Sequence, residues 1–149
     1  MPEASGNRNG PEPCSIDLRG TTAPPLVEVR RWASRTLTRI SEAHLLDALI
    51  VTTELVTNAY DHGRGPVEVR LSHTATPCRV RIEVDDRSRT HPIVKVPALD
   101  VPGGRGMQIV NRIAADWGVQ DHPATGGKTV WAVVACDGVD AVPCAAVPD

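Results

Sequence analysis

The chain has 149 residues, 41% of them hydrophobic, and its 16 Lys and Arg against 18 Asp and Glu leave a formal net charge of -2. That length suits one domain with a genuine core, and the balanced charge excludes the basic footprint of a duplex-binding surface. No apolar run reaches the roughly 20 residues of a membrane span, and the start Met1-Pro2-Glu3-Ala4-Ser5-Gly6 lacks the basic flank and apolar core of a signal peptide.

In chain order, Met1 to Pro25 is rich in Gly, Pro, Asn and Ser without sustained periodicity, and reads as a disordered arm. Val29, Trp32, Ala33, Leu37 and Ile40 follow helical spacing, so a first helix is expected over Leu26 to Ile40. Ser41 is placed to cap a second helix, Ala43 to His62, which stops at Gly63. On that helix Glu54 and Asn58 fall one turn apart on one face, with Asp47, Ile50 and Asp61 in the same column. Leu45, Leu49, Thr52, Val56 and Ala59 line a roughly opposite, mostly apolar face. Glu and Asn so placed are either the wet side of a helix or a paired carboxylate and amide suited to a magnesium–phosphate site. The amide oxygen is a hard, neutral ligand that leaves Mg²⁺ its charge for phosphates. A glutamate, with a reference pKa of about 4.3, is ionised at neutral pH and able to orient a hydroxyl or water.

Gly65-Pro66 turns the chain into the alternating run Val67 to Leu71, and a turn at Thr76-Pro77 leads to a second, Arg79 to Asp86. These read as an antiparallel pair with one face buried. Val80, Ile82, Val84 and Asp86 share the apolar face, so Asp86, unlike Asp85, sits at its end. A carboxylate there is costly unless it meets donors, either in a structural turn or from the amino group of a ligand. Ile93 to Pro102 is an irregular, proline-rich connection into Gly103-Gly104-Arg105-Gly106-Met107, after which Met107, Val110, Ile113 and Ala114 resume helical spacing. Glycines ahead of a helix let its first N–H groups approach an anion, aided by the helix dipole, although a plain hinge reads the same way. The pattern is not a Walker A loop. Trp117 to Gln120 and Gly127 to Cys136 read as two more strands, the second interior to the sheet, and Asp137 to Asp149 as a loose tail.

Cys14, Cys78, Cys136 and Cys144 are widely spread without a C-x-x-C, and read as neither a disulfide framework nor a zinc site. The five scattered histidines give no metal cage made wholly of protein ligands.

Glu54-x-x-x-Asn58 on a helix, Asp86 at a strand end and Gly104-x-Gly106 opening a helix stand in an order that resembles the GHKL (histidine-kinase-like) ATP-binding superfamily. Within it the likeness is nearest to the short, stand-alone bacterial anti-sigma-factor serine/threonine kinases, and Trp117-Gly118 and the Gly127-Lys128-Thr129-Val130-Trp131 strand look like that branch too. The resemblance implies a two-layer α/β sandwich over residues 26–136, with helices over a mixed, largely antiparallel sheet. It implies ATP and Mg²⁺ as cofactors, Asn58 as the magnesium-binding asparagine, Glu54 as general base and Asp86 as acceptor of the adenine amino group. Gly104 and Gly106 match the phosphate-facing glycines after a nucleotide lid at Ile93 to Pro102. Thr129, or Lys128 if the alignment slips by one, matches a threonine on the adenine side. One departure stands out: the family's D-x-G-x-G box reads Asp86-Arg87-Ser88-Arg89-Thr90 here, with both glycines gone.

By this likeness the protein is a cytoplasmic kinase that phosphorylates an anti-anti-sigma factor and competes for a sigma factor in partner switching. It has no direct nucleic-acid or membrane partner, and a homodimer is left open. The alternative is a non-catalytic nucleotide-binding module that sequesters a sigma factor or other regulator. A histidine-kinase catalytic fragment is disfavoured, since no upstream helical pair carries a phospho-accepting histidine, and His62 reads as part of the site's frame.

Overall fold

The computed structural model describes residues 13–61, 66–75, 77–90 and 104–136. The expected lid at Ile93 to Pro102, the tail from Asp137, residues 1–12, and His62 and Gly63 lie outside the described residues. In order the elements are β1 (Cys14–Asp17), α1 (Leu26–Thr36), α2 (Glu42–Asp61), β2 (Pro66–Ala75), β3 (Cys78–Asp86), α3 (Gly104–Ile113), β4 (Asp116–His122) and β5 (Gly127–Ala135). The strands form one sheet in the order β1-β2-β3-β5-β4. α2 packs on β2, β3 and β5 and is flanked by α1 and α3, which reach β1 and β4. This is the expected two-layer α/β sandwich.

The sheet is simpler than the mixed one expected: every described pairing is antiparallel. β2–β3 and β4–β5 are hairpins, antiparallel by construction, and β5 falls beside β3 in the opposite sense. The disordered-arm reading is corrected over residues 14–17, where β1 pairs with β2 from Cys14↔Leu71 to Asp17↔Glu68. A four-residue edge strand is too short for alternation to show, and β2 is what makes it a strand.

Alternation does set β3, where Val80, Ile82, Val84 and Asp86 are buried and their neighbours half-buried. Val80, Ile82 and Val84 share one core cluster with Ala48, Val51, Leu55, Val56 and Ala59 of α2, and Thr52 is buried on the same helix. The buried stripe of α2 is rotated from the expected one: Leu45 and Leu49 are only half-buried, because α2 lies between the sheet and two other helices. Thr52 is tolerated inside because its hydroxyl donates to the Ala48 carbonyl (2.7 Å). Ser41 caps α2 as expected, its Oγ accepting the His44 N–H (3.3 Å), and the buried His44 ring reaches the Ala135 carbonyl (3.0 Å). One helix start is thereby tied to the end of β5.

Cys78 and Cys136 form a disulfide, which corrects the reading that the cysteines form no disulfide framework. They sit at the ends of neighbouring strands, β3 and β5, where the ladder closes with Arg79↔Ala135 and a Cys136 N–H bond to the Cys78 carbonyl (3.2 Å). Spacing along the chain, 58 residues, carries no trace of that adjacency.

Candidate functional site

Strand register brings Asp86 and Lys128 together at one end of the sheet. Asn58 lies in the last turns of α2, which stops at Asp61. Pro66, which opens β2, pairs with Asp86, and Asp86 pairs with Lys128 at the start of β5. Asp86 points to the helix side of the sheet, the side covered by α2.

Glu54 is half-buried, and burial pushes its carboxyl above the usual glutamate range. One turn on, Asn58 carries a buried amide nitrogen, Nδ2, with no hydrogen-bond partner among the described residues. An orphaned buried donor is uncommon and calls for a ligand. A half-turn of the amide puts Oδ1 in its place, since the two ends have the same shape. Among the described residues no group of three or more His, Cys, Asp or Glu could hold a metal ion. A single amide oxygen beside one carboxylate therefore fits Mg²⁺, which keeps its waters and takes substrate phosphates, and does not fit a metal caged by protein. Gly104 and Gly106 form the first turn of α3, and α3 packs against α2. α3 thus rests on the helix that holds Glu54 and Asn58.

Asp86 is buried, 4% exposed. Its Oδ1 accepts two donors, the Ser88 N–H (2.8 Å) and the Lys128 ammonium (2.8 Å), and Lys128 also reaches the Ser88 carbonyl (3.3 Å). Burial pushes the Asp86 carboxyl up, against the pull of Lys128 and Ser88. Thr129 stands elsewhere. Paired with Asp85, it lies on the face turned from the helices, where its hydroxyl donates to Asp85 (2.6 Å) and meets His122 Nε2 (2.7 Å). The place beside Asp86 belongs to Lys128, one residue earlier, because strand parity allows only one of the two on that face. The same outer face carries Arg70, which donates to Glu68 (2.6 Å), Glu83 (2.8 Å) and Asp85 (2.8 Å).

Two residues escaped the sequence reading: Lys128 as the ion-pair partner of Asp86, and Ser88 as the donor that fixes it. The pairing follows from counting the β3–β5 register back from Val84↔Val130, which needs the strand order first. Gly127 makes the approach possible, since a Cβ there would collide with the Asp86 carbonyl. A cleft of about 280 Å³ lined by Arg89, Asp121, His122, Pro123 and Gly127 opens at this end.

No curated protein sequence matches the chain. The family model of the histidine kinase-like ATPase domain matches residues 21–134, well over half of it. With an antiparallel sheet under three helices, a carboxylate and an orphaned amide one turn apart on α2, and a buried aspartate closing β3, the chain belongs to the histidine kinase-like ATPase domain family and is an ATP-binding domain of that type.

Proposed function

We propose that this ATP-binding domain is a protein serine/threonine kinase of the anti-sigma-factor type, which phosphorylates an anti-anti-sigma partner and holds a sigma factor by turns. The observation that carries the reading is the Glu54–Asn58 pair, a desolvated carboxylate beside an amide left without a partner. A helix whose polar face served only solvation would bury neither.

Asn58 would hold Mg²⁺, which would supply positive charge for the phosphates. The partner's hydroxyl oxygen bonds the γ-phosphorus of ATP, the bond to ADP breaks, and Glu54 takes the hydroxyl proton. Phosphoryl transfer asks mainly for positioning and charge stabilisation. Burial raises the Glu54 carboxyl above the usual glutamate range, which makes its ionised form a better proton acceptor than an ordinary glutamate. The first turn of α3, with Gly104 and Gly106, offers N–H groups to the phosphates, and Asp86 accepts the adenine amino group. A cytoplasmic location belongs to the same proposal; among the described residues no helix is long and apolar enough to cross a membrane.

Transfer of labelled γ-phosphate from ATP to a purified anti-anti-sigma protein tests this directly. Transfer by the wild type and its loss in Glu54→Gln, with ATP binding kept, is the expected result. ATP binding without transfer to any such partner sinks the kinase reading. It would favour a non-catalytic module that sequesters a regulator, a reading to which the glycine-free turn after Asp86 lends weight.

A further inference from the structure

We propose that Lys128 is a specificity-determining residue that reads ring nitrogen N1 of the adenine, next to Asp86 at the amino group. The inference rests on the ATP site proposed above and adds to it a second protein contact with the base. Both side chains are 3% exposed, so each polar atom at this strand end acts with little water to screen it. Asp86 uses Oδ1 for Ser88 and Lys128, and among the described residues Oδ2 accepts nothing. The ammonium has three N–H donors, of which one meets Asp86 and one the Ser88 carbonyl. Among the described residues that leaves one carboxylate oxygen and one N–H without a partner, on two side chains already joined by an ion pair.

That pair matches one edge of one base. Adenine presents an amino donor at position 6 beside an acceptor at N1, whereas guanine presents an acceptor at position 6 beside a donor at N1. With position 6 at Asp86, adenine makes two hydrogen bonds. Guanine in the same pose sets its carbonyl against the carboxylate and its N1–H against the ammonium. A site built on buried polar groups rejects the wrong partner strongly, because those groups are left unpaired. The lysine can stay at this buried spot because Asp86 neutralises it, and that same contact holds it in register for the base. Gly127, whose Cβ would strike the Asp86 carbonyl, keeps the two strands close enough for the pair to form.

The test changes the ligand before it changes the protein, since Lys128→Met leaves a buried carboxylate without its counter-ion. Titration of the full chain with Mg²⁺ and either ATP or 1-deaza-ATP, in which C–H replaces N1, should show the analogue weaker by about 10- to 100-fold, the range of one hydrogen bond to a charged group. Lys128→Met, checked for folding by its melting curve, should lose affinity for ATP by the same factor, should not distinguish the two ligands, and should discriminate less against GTP. Lys128→Gln, which keeps an N–H donor, should recover part of the loss. Equal binding of ATP and 1-deaza-ATP by the wild type overturns the assignment while leaving the ATP site standing. So does tighter ATP binding by Lys128→Met, which would make the lysine an obstacle, or a wild-type preference for GTP. A wild type that binds no nucleotide overturns the site and this inference together.

Discussion

Breaking the Cys78–Cys136 bridge should cost stability without touching the nucleotide site, and the size of the effect can be worked out. The bridge links residues 58 apart in sequence. In the chain-entropy account a closed loop of that length removes about 4 kcal/mol of freedom from the unfolded chain. For a domain near this size each kcal/mol moves the melting point by roughly 2–4 °C, so reduction should lower it by roughly 10 °C. The β3–β5 ladder cannot make up the difference. Its bonds, Arg79↔Ala135 among them, hold the folded protein, whereas the bridge acts on the unfolded one. The lost stability should leave ATP affinity alone, because Cys78 and Asp86 lie at opposite ends of β3, about 26 Å apart at roughly 3.3 Å per residue. The assay is thermal melting of oxidised and reduced protein beside a Cys78→Ser/Cys136→Ser double variant, with free thiols counted and ATP titrated in each. If all three melt together, the bridge either does not form or closes a loop the unfolded chain already holds shut. If ATP affinity falls with the bridge, the independence of the two ends is wrong.

Asn58→Ala should weaken Mg²⁺-dependent ATP binding by about 10- to 100-fold while leaving the melting point within a few degrees, since the buried nitrogen it removes has no partner to lose among the described residues. Glu54 has a pH signature in two directions. As a base it works ionised, so transfer should fall on the acid side with an apparent pKa above the ordinary glutamate value, and Glu54→Gln should abolish that limb. A carboxyl raised in the folded state adds stability below its unfolded pKa and loses it as pH climbs through the raised value. Glu54→Gln, which cannot ionise, should therefore melt higher than the wild type at neutral pH. Gly127→Ala should destabilise by about 1–3 kcal/mol through overpacking and weaken ATP binding as well, because the atom it strikes is the Asp86 carbonyl; unchanged affinity by titration would separate that backbone from the site. Arg70→Met leaves Glu83 and Asp85 without their shared donor and should cost about 2 kcal/mol in denaturant unfolding at neutral pH. Burial raises these two carboxyls, but Arg70, with Arg81 for Glu83 and Thr129 for Asp85, outweighs it and holds both low. Wild-type stability from them is thus present above the ordinary carboxylate range and lost as pH falls through the depressed values, and the gap to the variant should close in acid.

What the sequence disclosed followed from short-range geometry. The spacing of Glu54 and Asn58, the cap at Ser41 and the parity that puts Asp86 inside all depend on residues a turn or a strand apart, and the period alone fixes their faces. What stayed hidden depends on which strand lies beside which. β1 is a strand only because Leu71 and Val69 stand opposite Cys14 and Ile16. The disulfide exists because β5 returns next to β3. Thr129 and its alternative Lys128 are told apart only by strand pairing, since a single step moves a side chain through the sheet from Asp86 to Asp85. Gly104 and Gly106 are an intermediate case, their place at the head of α3 legible from the chain and their neighbour α2 only from the fold.

The turn after Asp86 joins these two kinds of information. In the pattern this chain resembles, glycines let the backbone fold tightly past the aspartate; here Ser88 and Thr90 stand in their place. The geometry is held another way. The Asp86 carboxylate accepts the N–H two residues on, at Ser88, and the Ser88 hydroxyl accepts the N–H two residues further, at Thr90 (3.0 Å). Such side-chain-to-backbone bonds build a turn from Asp and Ser without glycine. Ser88 is 6% exposed, so its carbonyl needs a donor, and Lys128 supplies one. A lysine at position 128 and a serine at position 88 thus answer the same difficulty, a buried aspartate held without glycines, from two strands that meet only in the folded protein. A threonine at 128 would be too short to reach both the carboxylate and the carbonyl, and an isolated lysine there would be a buried charge without a partner. The departure in the box and the lysine opposite Asp86 are in that sense one change, and it leaves Asp86 fixed while putting a donor beside it.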